Sequence, residues 1–300
     1  MLSEATQTET IPTVVVLDSD SKRPSILQTL REVFQYRYLL QNLIIRDLKV
    51  RYKNSVLGIL WSLLNPLMMM AVYTFLFTIL IPNEDIHTFP MFILVALVPW
   101  TFFSGAVIGG TVSIVTNAPI IKKVYFPRIL LPISVVFSNM VNFGLAFIVL
   151  VILLTVFGLP LTIHALWVPL ILLTQVIFLL GICFFLATLQ VFLRDTLMIL
   201  EVILLAWFFL TPVFYPLERY GPPTEILGLT FEPAVVMRWI NPMASIIDSY
   251  RTVLWGTLNS QGPGSMDLIF FSRTFITAVI VFLIGFSFFT RWEHLFGEKL

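Results

Sequence analysis

The sequence predicts an all-α integral membrane protein, and three observations carry that prediction. Hydrophobic residues make up 58% of the 300 and charged residues only 12%, whereas a soluble domain carries roughly 25% charged residues. The mean hydropathy is +0.94. The apolar residues gather into six runs, at about 56–81, 90–113, 130–157, 165–192, 197–216 and 268–290, each near or above the roughly 20 residues a helix needs to cross hydrocarbon. The expected architecture is six transmembrane helices with an N-terminal amphipathic interface helix and a re-entrant helical hairpin before the last span.

Residues 1–24 are polar apart from a short patch at Val14 to Leu17, and no cationic region leads into an apolar core of signal-peptide length. They read as a cytoplasmic tail. Over 25–54 the residues Leu27, Leu30, Phe34, Tyr38, Ile45, Leu48 and Tyr52 recur at spacings of three and four, with Gln41 filling the gap. That is the pattern of an amphipathic helix. Its other face holds Arg31, Arg37, Arg46, Lys49 and Arg51 against Glu32 and Asp47, which suits a helix lying in an anionic interface or packed on another subunit. Asp47 sits among cations, so a local salt bridge is its simplest explanation. From Val56 to Ile81 the chain then carries no formal charge, and the change of solvent takes place within about ten residues. Asn65-Pro66 should kink the first span, since proline removes a backbone bond and clashes with the preceding turn.

Between spans two and three, the loop at 114–130 contains NAPIIKKVYFPR. A short apolar motif with Lys122, Lys123 and Arg128 reads as a cytoplasmic segment that receives force from a soluble motor; the alternative is a basic anchor that only sets topology. The outward connection at 217–267 is longer. It follows TPVFYP and holds FEPAVVMRWINPMASIIDSYRTVLWG, whose apolar runs on either side of Asn241-Pro242 are each too short to span. Two half-length helices broken by proline suggest a re-entrant hairpin, with Arg238, Asp248 and Arg251 at or below the outer interface. A helical cap lying flat on the outer surface is the alternative. Residues 293–300 complete the chain as a cytoplasmic C-terminus.

Orientation follows from the placement of cations. Of the 18 lysines and arginines, all but Arg219, Arg238, Arg251 and Arg273 fall on one side if the N-terminus is inside. This positive-inside bias predicts that both termini are cytoplasmic. The net charge of +1 points to no nucleic-acid partner. The single cysteine, Cys183, lies in an apolar run and reads as a small buried hydrophobe.

The chain lacks a G-x-x-x-x-G-K-[ST] loop, and so has no Walker-type ATP site of its own. His87, His164 and His294 are far apart, which gives neither a metal site nor a catalytic dyad. Glu201 is the one carboxylate well placed in a span, with Arg194-Asp195 at the boundary just before it. That is few ionisable groups for an ion-driven carrier, so energy is expected from another subunit. A membrane-embedded transferase would need paired carboxylates or a partnered histidine, and only Glu84-Asp85 with His87 qualifies even loosely. Aromatic residues are abundant, with 28 Phe, 8 Tyr and 7 Trp. Trp61, Trp100 and Trp292 lie where interfacial belts form. Tyr73, Phe77, Trp100 and Phe103 are candidate pore liners, because pyranose C–H faces stack on rings, and belt or packing roles are the alternative.

Four stretches resemble a known family: RDLKVRYKNSVLGILWSLLNPL, the KKVYFPR loop, FLRD followed by TPVFYP, and INPMASIIDSYR. In this order they are similar to the permease subunits of type-2 ABC transporters in the polysaccharide, O-antigen and teichoic-acid export branch, over about residues 30 to 295. The resemblance implies that the helix ending at Tyr52, with Arg46, Asp47, Lys49 and Arg51, and the loop with Lys122, Lys123, Phe126 and Arg128 engage a nucleotide-binding subunit. It implies a gate around Arg238, Asn241, Pro242, Asp248 and Arg251. It further implies a homodimer with two ABC ATPase subunits that bind ATP and Mg, no cofactor in this chain, and a lipid-linked polysaccharide as cargo, in a bacterial inner or plasma membrane. A type-2 permease for drugs or lipids would share the frame.

Overall fold

The computed structural model of the chain describes residues 26–53, 55, 57–80, 86, 88–217, 224–226, 229–231, 233–257 and 262–300. The Glu84-Asp85 and His87 cluster lies outside them, as do Arg219 and residues 1–24. Helices α1 (Ile26–Gln35) and α2 (Arg37–Tyr52) are joined through a bend at Tyr36. The backbone ladder runs on across it, because Tyr36 N–H donates to Glu32 O at 2.9 Å and Leu40 N–H to Tyr36 O at 2.9 Å. The packed face of α2 is Leu39, Leu40 and Leu43, continued backwards by Tyr36 and Val33. Phe34 (69%), Tyr38 (67%) and Ile45 (49%) of the apolar stripe read from the sequence are exposed in the single chain. Three- and four-residue spacing fits either face, and contact with the long helix Leu130–Val156 selects the Leu43 side.

α3 (Trp61–Phe75) contains Pro66 and is flanked by a 3₁₀ turn, Gly58–Leu60, and a π turn, Leu76–Leu80. There follow α4 (Phe89–Thr116), α5 (Ala118–Ile121), α6 (Leu130–Val156), α7 (Val168–Phe192) after a 3₁₀ turn at Ile163–Trp167, and α8 (Thr196–Leu210). One small hairpin, β1 (Thr224–Ile226) with β2 (Leu229–Phe231), pairs antiparallel with Thr224 opposite Phe231. α9 (Pro233–Ile240), α10 (Pro242–Leu254), α11 (Leu268–Trp292) and α12 (Phe296–Lys299) complete the chain.

Apart from that hairpin, every described element is helical. Four helices are long and apolar enough to cross a membrane, at Phe89–Thr116, Leu130–Val156, Ile163–Phe192 and Leu268–Lys299, and two shorter apolar helices lie at Leu63–Phe75 and Thr196–Leu210. The short ones stop early for local reasons. Thr211 precedes Pro212 and adopts φ −95°, ψ 136°, as residues before proline do, and α3 starts late because Gly58 takes a left-handed φ of 51°.

α4 is the centre of the fold. Met91 through Val98 are all 0–1% exposed, and a helix that is apolar all round belongs in the middle of a bundle. It packs on α6 and α7 along its length and on α3, α8 and α10 at its flanks. α7 and α11 meet through small residues. A Cβ at Gly181 would come within 2.6 Å of the Phe282 backbone, and one at Gly285 would land on the Gly181 carbonyl. Such close backbone approach is how helices bind one another where lipid removes the hydrophobic drive. A second apolar cluster ties Leu43, Phe126, Leu130, Phe184, Phe289 and Phe296 together at the end of the bundle where α2 and α12 dock.

Candidate functional site: an aromatic and amide cavity against the central helix

A cavity of about 690 Å³ opens between α3, α4, α6 and α8 and the end of α2. α2 contributes Arg51 and Tyr52; α3 contributes Trp61, Asn65, Met69 and Tyr73; α4 contributes Trp100, Thr101 and Ser104. Asn139, Asn142 and Phe143 come from α6, and Glu201, Phe208 and Phe209 from α8. Aromatic faces alternate with amides and hydroxyls, so the wall offers both ring stacking and hydrogen bonds.

One end of the cavity is laced to α2. Arg51 Nη1 donates to Asn139 Oδ1 at 3.0 Å, and the Tyr52 hydroxyl donates to Asn142 Oδ1 at 2.7 Å. Further back, the Ser134 hydroxyl reaches Asp47 Oδ2 at 3.4 Å, while the other Asp47 oxygen takes Arg46 Nη2 at 2.9 Å. Asp47, Arg51 and Tyr52 share one face of α2, and Ser134, Asn139 and Asn142 run along α6 opposite them. Asn142 Nδ2 is buried and has no protein partner among the described residues.

Of the four aromatic residues read as pore liners, Tyr73 and Trp100 stand on the cavity wall. Phe103 is 0% exposed and lies behind it, stacked on Phe178 at 6.1 Å and edge-on to Trp207 at 5.0 Å. Phe77 packs away from it on Phe214 at 5.6 Å and Phe89 at 5.6 Å. Trp100 is only 6% exposed, which makes it a cavity residue, not a belt residue.

The Asn241-Pro242 break is held on all sides. Asn241 caps α10, accepting from Ala244 N–H at 3.2 Å and from Trp207 Nε1 at 2.8 Å, while its Nδ2 donates to Thr211 Oγ1 at 2.9 Å. Proline at the first position of α10 needs no N–H partner there. Arg238 pairs with Asp248 at 2.8 Å. Arg251 is 4% exposed; its Nη2 donates to the Pro212 and Val213 carbonyls at 2.8 and 3.0 Å, and its guanidinium lies 3.8 Å from the Phe92 ring centroid. Arg273 donates to the Arg238 and Trp239 carbonyls at 2.6 Å each.

In the loop between α5 and α6, Lys122 and Lys123 are exposed and Tyr125 is 85% exposed, while Phe126 turns inward at 7%. Arg128 N–H donates to Glu293 Oε1 at 3.2 Å, and its guanidinium donates to the Glu293 carbonyl. The loop is thereby fastened to the C-terminal turns. Lys49 is exposed on α2 beside the half-buried Arg46. No group of three or more His, Cys, Asp or Glu that could hold a metal occurs among the described residues.

The sequence reading did not single out Asn139, Asn142 or Trp207. Their partners lie 88, 90 and 34 residues away, so an amide inside an apolar run was the one mark of Asn139 and Asn142, and Trp207 looked like any other ring in an apolar helix.

The chain matches the model of the ABC-2 type transporter family over residues 38–255. An O-antigen export system permease protein of Myxococcus xanthus is 37% identical over 230 residues, covering 77% of this chain and 85% of the relative. Two permease proteins with the same description from Klebsiella pneumoniae are 33% and 32% identical, over 85% and 91% of this chain and 92% and 100% of theirs. The matched region runs from the start of α2 to the end of α10 and contains the whole cavity, and the chain belongs to the ABC-2 type transporter family of membrane permeases.

Proposed function

We propose that this chain is the transmembrane subunit of an ATP-driven exporter that carries a lipid-linked polysaccharide, of O-antigen, capsular or teichoic-acid type, out of the cytoplasm. The observation that carries the reading is the cavity wall. Tyr73, Trp100, Phe143 and Phe208 alternate there with Asn65, Asn139, Asn142, Thr101 and Ser104, and a sugar presents the same alternation of C–H faces and hydroxyls. The names of the relatives point the same way.

In this reading α3 and α8 cross the membrane with the four long helices, which gives six spans, and both termini are cytoplasmic. α9 and α10 form a re-entrant gate. One chain supplies half of the path and a second copy the rest. An ABC ATPase subunit binds ATP and Mg and docks on Lys122, Lys123 and the exposed cations of α2. Its closure moves α2, and the bonds to Asn139 and Asn142 pass that motion to the cavity wall. The chain makes and breaks no covalent bond. Arg46, Lys49 and Arg51 attract the diphosphate of the lipid carrier at the inner leaflet.

The test is reconstitution of the chain with its ATPase subunit in proteoliposomes holding a polyprenyl-diphosphate-linked glycan. ATP-dependent appearance of the glycan on the far side is the expected result. ATP-dependent movement of small lipophiles or phospholipids alone, with glycan left in place, would replace this reading with a drug or lipid permease.

A further inference from the structure

Two charged side chains reach the cavity wall among the described residues, Arg51 and Glu201. They are not equivalent. Arg51 is bonded to Asn139 at 3.0 Å, whereas Glu201 has no hydrogen bond and no ion pair among the described residues. Glu201 is exposed on the second turn of α8, where the other exposed residues, Met198, Ile199, Val202, Ile203 and Leu205, are apolar. A carboxylate in the middle of an apolar helix is costly, and such groups face a bundle interior or a watery path. Structural economy alone would place a leucine there.

Resting on the polysaccharide-export reading and narrowing its cargo, we infer that the path conducts glycans with uncharged repeat units, which sets teichoic acids and acidic capsules aside, and that Glu201 is the residue that turns anionic repeats away. The rest of the wall supports this, since beyond Arg51, which is tied to Asn139 beside the end of α2, it offers amides, hydroxyls and rings that bind neutral sugars, and no second cation to accompany a carboxylate or phosphate along the path. A polymer with a phosphodiester in every unit would pass an unpaired carboxylate in a cavity walled by rings, where low local dielectric strengthens repulsion. The lipid diphosphate crosses once per chain. Repeat units cross one after another, so a barrier at Glu201 acts on the polymer.

The experiment uses the complete complex with its ATPase in proteoliposomes. Two probes on the same polyprenyl diphosphate are compared: a neutral oligosaccharide, and the same oligosaccharide with one uronic acid in each repeat. The wild type should export the neutral probe roughly tenfold faster, with a preference that shrinks as salt rises. Glu201→Gln should narrow the ratio several-fold, and Glu201→Asp should keep it. Equal wild-type rates, or an unchanged ratio in Glu201→Gln, would overturn the inference while leaving glycan export intact. Export of neither probe would instead remove the export reading itself, and the inference with it.

Discussion

Arg51 and Asn139 stand 88 residues apart in the chain and 3.0 Å apart in space, with the guanidinium donating to the amide oxygen. This bond joins the last turn of α2 to the wall of the cavity, and the Tyr52–Asn142 bond one turn further along α6 repeats it. Asn139→Ala should cost about 0.5–1.5 kcal/mol of stability. In the exporter reading it should lower transport more than ATP hydrolysis. Thermal melting and a double-mutant cycle with Arg51→Ala check the bond. Additive losses from the two single variants would mean that it carries no coupling.

Asn241 holds α8 to the start of α10 through Trp207 and Thr211. Asn241→Ala removes a helix cap, worth about 0.5–2 kcal/mol, and leaves the half-buried Trp207 N–H without its acceptor, worth about 1 kcal/mol more. Trp207→Phe should be milder, since it deletes the donor and keeps the ring against Phe103. Melting temperatures of the three proteins in one detergent should fall in the order wild type, Trp207→Phe, Asn241→Ala.

Arg251 clamps two carbonyls of the turn after α8 and covers Phe92. Arg251→Ala should therefore reduce folded yield, and Arg251→Lys should fail to restore it, because an ammonium lacks the planar fork and the face that lies on the ring. Full recovery by lysine, read by size-exclusion chromatography, would contradict the clamp.

The loop after α5 separates two kinds of residue. Lys122→Ala with Lys123→Ala should leave melting within about 0.5 kcal/mol of wild type, yet, in the exporter reading, release the ATPase subunit during purification. Phe126→Ala should cost about 3–5 kcal/mol, since its ring is buried against the C-terminal cluster. Equal co-purification of ATPase with the lysine variant and the wild type would remove these lysines from the docking surface.

Where Gly181 of α7 meets Gly285 of α11 there is no room for a side chain. Gly285→Val should abolish the monodisperse species, and Gly181→Ala should weaken it by about 1–3 kcal/mol. Both are readable by fluorescence-detected size exclusion on small cultures.

The long helices were legible in the sequence because an uncharged run needs no partner to declare itself. α4, α6, α7 and α11 start and stop within a few residues of the apolar runs that announced them. The ends of α3 and α8 were less legible, since Gly58 and Thr211-Pro212 break helices inside sequences that remain apolar. The face of α2 that packs on α6, with Leu39, Leu40 and Leu43, was not legible for a related reason. Periodicity gives the spacing, but contact with α6 decides which of two similar stripes goes inward. The cavity was half legible: Tyr73 and Trp100 were named from their aromatic character, whereas Asn139 and Asn142 acquire meaning only from Arg51 and Tyr52 on another helix. Phe126 and Arg128 look like surface residues in a basic loop, and the C-terminal turns that hold them are more than 160 residues away.

α8 has 15 residues, which rise roughly 22 Å at 1.5 Å each, while the hydrocarbon of a bilayer is roughly 30 Å thick. In the six-span reading, where α8 crosses, the membrane must thin or its lipids must tilt to meet the helix. The stretch of α4 from Met91 to Val98 is buried inside the bundle and is shielded from this mismatch. The exporter would then sit in a self-made dimple on the α8 side, where a long polyprenyl tail has the least acyl chain to displace, so membrane thickness becomes a setting on which its rate depends.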